Sequence, residues 1–376
     1  MALKQPVTIK FSDTGRNARL EYAASAMQGY RVNMEDAHVC IPELCATTAT
    51  SFFAVYDGHG GPAVAKYCAK HLHVELLRHA EFEGNLPHAA QRTFLRMDEM
   101  MRQMNAGKEL SSYGGTKYWK KYRRDRLIGS FIPWVQPVYP GPRDDGCTAC
   151  VALIRGNQII VANAGDSRCV ISKNGQATAL SIDHKPGLPA ESQRILNAGH
   201  EVVLSTRGNF HRIDDGIAIA RSIGDLSYKD NETLPPEEQA VTAFPEVQFD
   251  EITHDAEFLI IACDGIWDVM TNQEVVDFVH VYLSTGADMH RICESLLDYC
   301  VAQPRGRDNM SVVLVMFKNQ PPPPPPQQVQ QQPQDPPPPQ ATTQEQAQTQ
   351  SSSGDLGAGT SHIDDSEIHL AGEAAF

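Results

Sequence analysis

Apolar residues in this chain gather into short continuous runs that stop at turn residues, with longer helix-like stretches between some of them. The first clear run, Phe52-Phe53-Ala54-Val55-Tyr56, ends at Asp57-Gly58-His59-Gly60-Gly61. Pro62 suits the first turn of a helix that continues to about His79. That stretch therefore reads as strand, tight turn, helix. A second helix is expected from about Pro87 to Met104, where Phe94, Leu95, Met97, Met101 and Met104 share one face. Thr148–Ile154, Gln158–Ala162 and Arg168–Ser172 are short apolar runs rich in β-branched residues. They are punctuated by Gly156-Asn157, Gly165-Asp166 and Asn174-Gly175, which is antiparallel hairpin chemistry. No helix fits between them and no G-x-G-x-x-G occurs, so a dinucleotide-binding parallel sheet is excluded.

Further along, a helix from about Pro189 to Ala198 closes at Gly199. Ile217–Ala220 reads as a short strand leading into Arg221-Ser222-Ile223-Gly224-Asp225. The run Phe258–Cys263 repeats the earlier design, because it too ends in Asp-Gly, at Asp264-Gly265. Helices follow at about Asn272–Leu283 and Asp288–Ala302, then a last strand, Ser311–Phe317. Two regions lack a period. Within the segment up to about Ala46, the stretch Met27–His38 carries Arg31, Glu35 and Asp36 and reads either as a polar loop with a surface ion pair or as an Arg for phosphate beside carboxylates for a metal; residues 105–145, broken by Gly114-Gly115, Pro133, Pro137 and Pro140-Gly141-Pro142, read as an insertion loop.

Composition changes this picture at the ends. From Gln320 the chain turns to Pro and Gln, opening with Pro321–Pro326, and cannot bury enough apolar area to offset the entropy of ordering. The expected division is residues 1–20 as an N-terminal extension, 21–318 as the folded body with its 105–145 insertion, and 319–376 as a disordered Pro/Gln-rich acidic tail. Net charge is −14 over 376 residues, and the tail holds seven acids with no Lys or Arg, half of the excess. An acidic body argues against a nucleic-acid partner, since phosphate neutralisation needs a basic surface. No apolar stretch approaches the roughly 20 residues of a membrane span, and Met1–Pro6 has no secretory apolar region. The nine cysteines are odd in number, scattered and mostly in apolar runs, which fits reduced thiols and a cytoplasmic or nuclear protein. The basic run Lys117–Arg126 reads as a solvated loop, a nuclear-import signal or a patch for an acidic partner. The proline run reads as a plain tail or a ligand for an SH3- or WW-like domain. A monomer is the default expectation.

The chemistry lies in the acids. Glu35, Asp36, Asp57, Asp166, Asp264, Asp268 and Asp308 all stand at strand ends or turns. Taken singly, a strand-end Asp before glycines is more often a turn residue than a ligand. Gathered together, carboxylates need cations, and oxygen donors suit Mg or Mn. A nearby Arg suits a phosphoryl group. The set points to metal-assisted phosphoester hydrolysis.

Eight motifs in order resemble those of the type-2C metal-dependent protein phosphatases. They are Arg31-x-x-Met34-Glu35-Asp36, Asp57-Gly58-His59-Gly60-Gly61, Gly146-Cys147-Thr148-Ala149, Gly165-Asp166-Ser167-Arg168, Asp183-His184-Lys185-Pro186, Arg221-Ser222-Ile223-Gly224-Asp225, Ala262-Cys263-Asp264-Gly265-Ile266-Trp267-Asp268 and Arg307-Asp308-Asn309-Met310. The resemblance spans roughly Glu21 to Lys318, and wording such as Val161–Ile171 is most similar to plant members. It implies an α+β fold, a four-layer α/β/β/α sandwich of two packed antiparallel β-sheets flanked by helices. It implies a protein serine/threonine phosphatase that acts in signalling on phosphoprotein substrates through a water activated by two Mn or Mg ions. By motif position, Asp57 would bridge both ions, the Gly58 carbonyl would bind one, and Asp264 and Asp308 the other. Glu35 and Asp36 would hold metal-bound waters. Arg31 would grip the phosphate and His59 would protonate the leaving oxygen. Asp166 and Asp268 match positions that hold a weaker third ion in some members. Cys147 stands where Ser is common. His211-Arg212-Ile213-Asp214-Asp215-Gly216 departs from the family's flap wording, which bears on substrate preference. Trp occurs only at 119, 134 and 267, so the Trp of the hormone-coreceptor branch is missing from that flap.

Overall fold

In the computed structural model, which describes residues 2–114, 139, 141–206 and 208–318, the chain begins in two strands, and the stretch carrying Arg31, Glu35 and Asp36 is the irregular loop that follows them. β1 (Val7–Arg16) runs antiparallel to β2 (Leu20–Gly29), and β3 (Ala37–Cys45) pairs with β4 (Thr50–Tyr56). The expected extension over residues 1–20 therefore contributes a strand to the main fold. Its period was hidden because β1 is largely exposed along its length. β2 is the opposite case: Ala23, Ala24, Ser25, Ala26 and Met27 are all buried, so inward and outward positions look alike.

After the two-residue strand β5 (Gly58–His59) come α1 (Ala63–Arg78), α2 (Leu86–Met101) and α3 (Met104–Ser112). The Asn85 side chain accepts from the His88 N–H and caps α2, with a proline in its first turn. α2 ends three residues earlier than expected. Met104 starts α3 instead and is exposed, so it is not part of the buried stripe. α3 also occupies the start of the stretch read as an insertion loop. The basic run Lys117–Arg126 and the tail lie outside the described residues.

The predicted meander follows as β6 (Gly146–Cys147), β7 (Ala149–Arg155), β8 (Gln158–Ala164), β9 (Arg168–Lys173) and β10 (Gln176–Ala179). α4 (Pro189–Asn197) precedes a small hairpin of β11 (Val202–Leu204) and β12 (His211–Ile213), then β13 (Ile223–Gly224). Ile217–Ala220 is not a strand; only Ile217 makes an isolated bridge, to Ile213. The chain closes with β14 (Glu246–Glu251), β15 (Ala256–Ala262), α5 (Asp264–Trp267), α6 (Asn272–Ser284), α7 (Met289–Ala302) and β16 (Met310–Phe317). Thr271 and Glu274 close a capping box on α6.

Two antiparallel sheets result, ordered β1-β2-β16-β15-β9-β10 and β14-β8-β7-β4-β3. Strand alternation assigns each residue to a layer. On β4, Phe53 and Val55 meet Leu259 and Ile261 of β15 between the sheets. Phe52, Ala54 and Tyr56 face the other way, against α1 and α2. On β15, Phe258 and Ile260 pack under α6 and α7. Both faces of the central strands are covered, which is why their sequences are unbroken apolar runs. The layers are helix, sheet, sheet, helix, as the resemblance implied. The strand ends left uncovered at one edge carry the acids.

Candidate active site

Asp57 leaves the end of β4 and is clamped by Thr148. Its N–H donates to Thr148 Oγ1 at 3.2 Å, and the Thr148 N–H donates to its carbonyl at 2.8 Å. Thr148 Oγ1 also lies 2.7 Å from Ser167 Oγ, so β7 and the β8–β9 turn hold the same point. Gly58 pairs with Cys147 across β5 and β6. A Cβ on Gly58 would sit 2.2 Å from the Glu35 carbonyl oxygen, so only glycine fits. Asp264 follows β15 at the start of α5, and Asp308 stands just before β16.

Asn309 ties the acid-bearing loop to this floor. Its Nδ2 donates to the Gln28 and Asn33 carbonyls at 2.7 and 3.0 Å, and its Oδ1 accepts the Glu35 N–H at 2.9 Å. Arg31, Glu35 and Asp36 are thus set by an amide from the far end of the chain. Asn309 was quoted in a motif but given no part. A polar side chain with two carbonyl partners leaves no local signal.

Arg31, Asp57, Gly58, His59, Asp166, Asp264 and Asp308 line one cavity of about 530 Å³. Asp36 is buried beneath it, donated to by Ser311 Oγ at 2.8 Å, while its other oxygen has no partner. Glu35 abuts Gly58 through its carbonyl. Asp268 lines a neighbouring hollow that shares Asp308 and Arg31 with the first. Arg212, Ile217 and Ile219, from and after β12, line the cavity wall. Asp57, Asp166, Asp264, Asp268 and Asp308 therefore gather where the strand ends of the two sheets meet.

Burial, and then repulsion from Asp264, Asp36, Asp166 and Asp308, push the Asp57 carboxyl well above the usual carboxylate range. Asp264 is raised in the same way, by burial and by Asp166, Asp308 and Asp268. Burial carries Asp36 up to about 7. Carboxylates so placed lack positive charge, which a divalent cation supplies. Cys263 Sγ belongs to the same cluster as Asp36 and Asp57. Burial and those acids raise the thiol well above its ordinary pKa, and it accepts the Ser311 N–H at 3.1 Å. A protonated thiol leaves the donor set to hard oxygens, and the residues present fit Mg or Mn.

Two cationic groups balance the acids directly. Arg31 Nη2 donates to Asp308 Oδ2 at 2.5 Å, with 53% of its side chain exposed to the cavity mouth. Lys185 pairs with Asp166; burial opposes its charge, but Asp166 prevails and lifts it to about 12. His59 Nε2 lies 2.7 Å from Asp225 Oδ2. Burial works against a charged imidazole there, yet Asp225 holds the His59 pKa above its ordinary value. Asp225 takes a left-handed backbone (φ 49°) and accepts from Ser222 Oγ. Asp98 braces this turn, accepting the Gly224 N–H at 2.8 Å and pairing with Lys229. Asp225 lay within a recognised motif, but its partner 166 residues away was not legible.

The family model described as "Protein phosphatase 2C" matches residues 20–127 and 139–310. This chain belongs to the protein phosphatase 2C family. Among its relatives, the rice "Probable protein phosphatase 2C 42" is 55% identical over 318 residues, covering 84% of this chain and 89% of the relative. The rice "Probable protein phosphatase 2C 11" is 46% identical over 335 residues, covering 84% and 90%. The crystal structure of a phosphatase from a pathogenic strain of Toxoplasma gondii superposes with a TM-score of 0.64 at 25% identity, covering 83% of this chain and 96% of that one. The protein phosphatase 2C chain is thus a serine/threonine protein phosphatase of a metal-dependent family. Its Cys147 is fully buried and faces Cys68, with Sγ atoms 3.7 Å apart, so the small side chain serves packing.

Proposed function

We propose that this protein hydrolyses phosphoserine and phosphothreonine monoesters on proteins by direct attack of water at a dinuclear Mn or Mg centre. The observation that carries this reading is the convergence of Asp57, Asp264 and Asp308 with Arg31 and His59 on one cavity, with Asp36 buried beneath it. Asp57 and the Gly58 carbonyl would hold one ion, Asp57, Asp264 and Asp308 the other, with Glu35 and Asp36 acting through ordered water. Asp166 and Asp268 would take a weaker third. Ions held there supply Lewis-acid charge and an activated water.

The chain's own groups supply the rest. Arg31 is pinned at one edge by Asp308 and keeps N–H groups for a phosphate oxygen. His59, whose pKa Asp225 holds above its ordinary value against the effect of burial, would offer a proton to the departing serine or threonine oxygen. Acids elsewhere in the cavity repel a second carboxylate, a field that divalent ions held by Asp57, Asp264 and Asp308 would offset.

Turnover of a phosphothreonine peptide with Mn tests this. Asp57→Asn or Asp264→Asn should lower kcat by about 10²-fold or more while the circular dichroism spectrum is unchanged. Full activity in excess chelator overturns it.

A further inference from the structure

Beside the catalytic cavity lies a second hollow of about 440 Å³, lined by Arg31, Asp268, Arg305, Arg307 and Asp308. It shares Arg31 and Asp308 with the cavity. Arg305 and Arg307 are exposed, and among the described residues neither guanidinium makes an ion pair or hydrogen bond. By contrast, Arg168 is tied to Asp183 and Arg221 to Glu191. Two unpaired guanidinium groups on one rim are unusual in a chain of net charge −14.

Their loop is rigid. Gly306 donates to the Gln303 carbonyl at 3.0 Å, and a Cβ on it would meet the Cys300 carbonyl oxygen at 1.9 Å. The Arg307 Cζ stacks 4.3 Å from the Tyr30 ring centroid, which fixes the guanidinium plane and leaves its N–H edge open. A guanidinium immobilised in this way loses little freedom when it binds a carboxylate or phosphate. Asp268 and Asp308 face the same hollow, but both belong to the acid cluster whose charge divalent ions held there would offset.

We propose that Arg305 and Arg307 form a subsite for a second anionic group, a carboxylate or a phosphate, on the same phosphoprotein segment whose phosphoryl group Arg31 meets. The proposal rests on the phosphatase reading and deepens it by naming a substrate class. Phosphorylated segments that also carry acidic or further phosphorylated residues on the Arg307 side are preferred over neutral ones.

The test uses the full chain with Mn and a set of phosphothreonine peptides of neutral sequence. In one series a single glutamate is walked through the flanking positions; in the other, a non-hydrolysable phosphonate. At one or a few adjacent positions kcat/KM should rise about tenfold over the neutral parent, mainly through KM. Arg305→Glu should return that ratio to near one, and Arg307→Gln should lower it partly. A response to the glutamate series identifies a carboxylate site, and a response to the phosphonate series alone a phosphate site. Ratios equal in wild type and both variants overturn the subsite. Fluorescence anisotropy with a peptide bearing phosphonate at the scissile position separates the two ideas. If no peptide is hydrolysed, the phosphatase reading fails. The subsite then stands if Arg305→Glu abolishes the tighter binding of the acidic peptide, and falls if it does not.

Discussion

His59 Nε2 and Asp225 Oδ2 lie 2.7 Å apart although 166 residues separate them in the chain. Asp225 is itself held by Ser222 and by the strained left-handed turn at its own backbone. Asp225→Asn keeps the shape and removes the charge that favours imidazolium. We expect kcat on a phosphothreonine peptide to fall about ten- to hundredfold. The loss should be smaller on p-nitrophenyl phosphate, whose leaving group needs no proton. Equal losses on both substrates would show that Asp225 supports structure alone.

Gly58→Ala places a methyl group against the Glu35 carbonyl, 2.2 Å from its oxygen. Backbone must move, because neither partner is a flexible side chain. The expected cost is about 1–3 kcal/mol of stability, with activity lost beyond what the melt explains because the Asp57 turn shifts. Thermal melts and turnover on the same preparation check this.

Asp36 makes stability depend on pH when metal is removed. Its folded pKa, raised by burial to about 7, exceeds its ordinary 3.8. A raised acid favours the fold fully below about pH 3.8, and that contribution is lost as pH rises through 7. In chelator, the wild type should therefore weaken relative to Asp36→Asn between those limits, by about 2–4 kcal/mol in all. Adding Mn should restore the wild type and leave the variant behind. Urea titrations across pH, with and without chelator, read this directly.

His184 acts with the opposite sign. Burial, with help from Arg221, lowers it from 6.5 to about 4, and its ring is almost fully enclosed. The unfolded chain binds a proton that the fold excludes, so this contribution is present above pH 6.5 and lost as pH falls toward 4. The stability difference between wild type and His184→Gln should shrink over that window. A constant difference from pH 7 to pH 4 would show that the ring titrates alike in the folded and unfolded states.

Much of this protein was legible in local pattern. The runs at Phe52–Tyr56 and Phe258–Cys263, the hairpin turns and the helices after Pro62 and Asn272 each depend on neighbours in sequence, so composition and period sufficed. The acids were legible for the same reason, since a strand that stops at Asp-Gly marks its own end. β1 to β3 were not, because an exposed edge strand and a doubly buried, alanine-rich one both lack the alternation that betrays a half-buried sheet. What only the tertiary structure decided is which of these separate signals meet. Asn309 reaching Gln28, Asn33 and Glu35, Asp225 reaching His59, and Arg305 and Arg307 flanking Arg31 are all contacts between distant segments. Their geometry comes from packing two sheets face to face, which brings one set of strand ends to a common edge. Charges placed there by sequence become a site only because that packing removes water and forces them together.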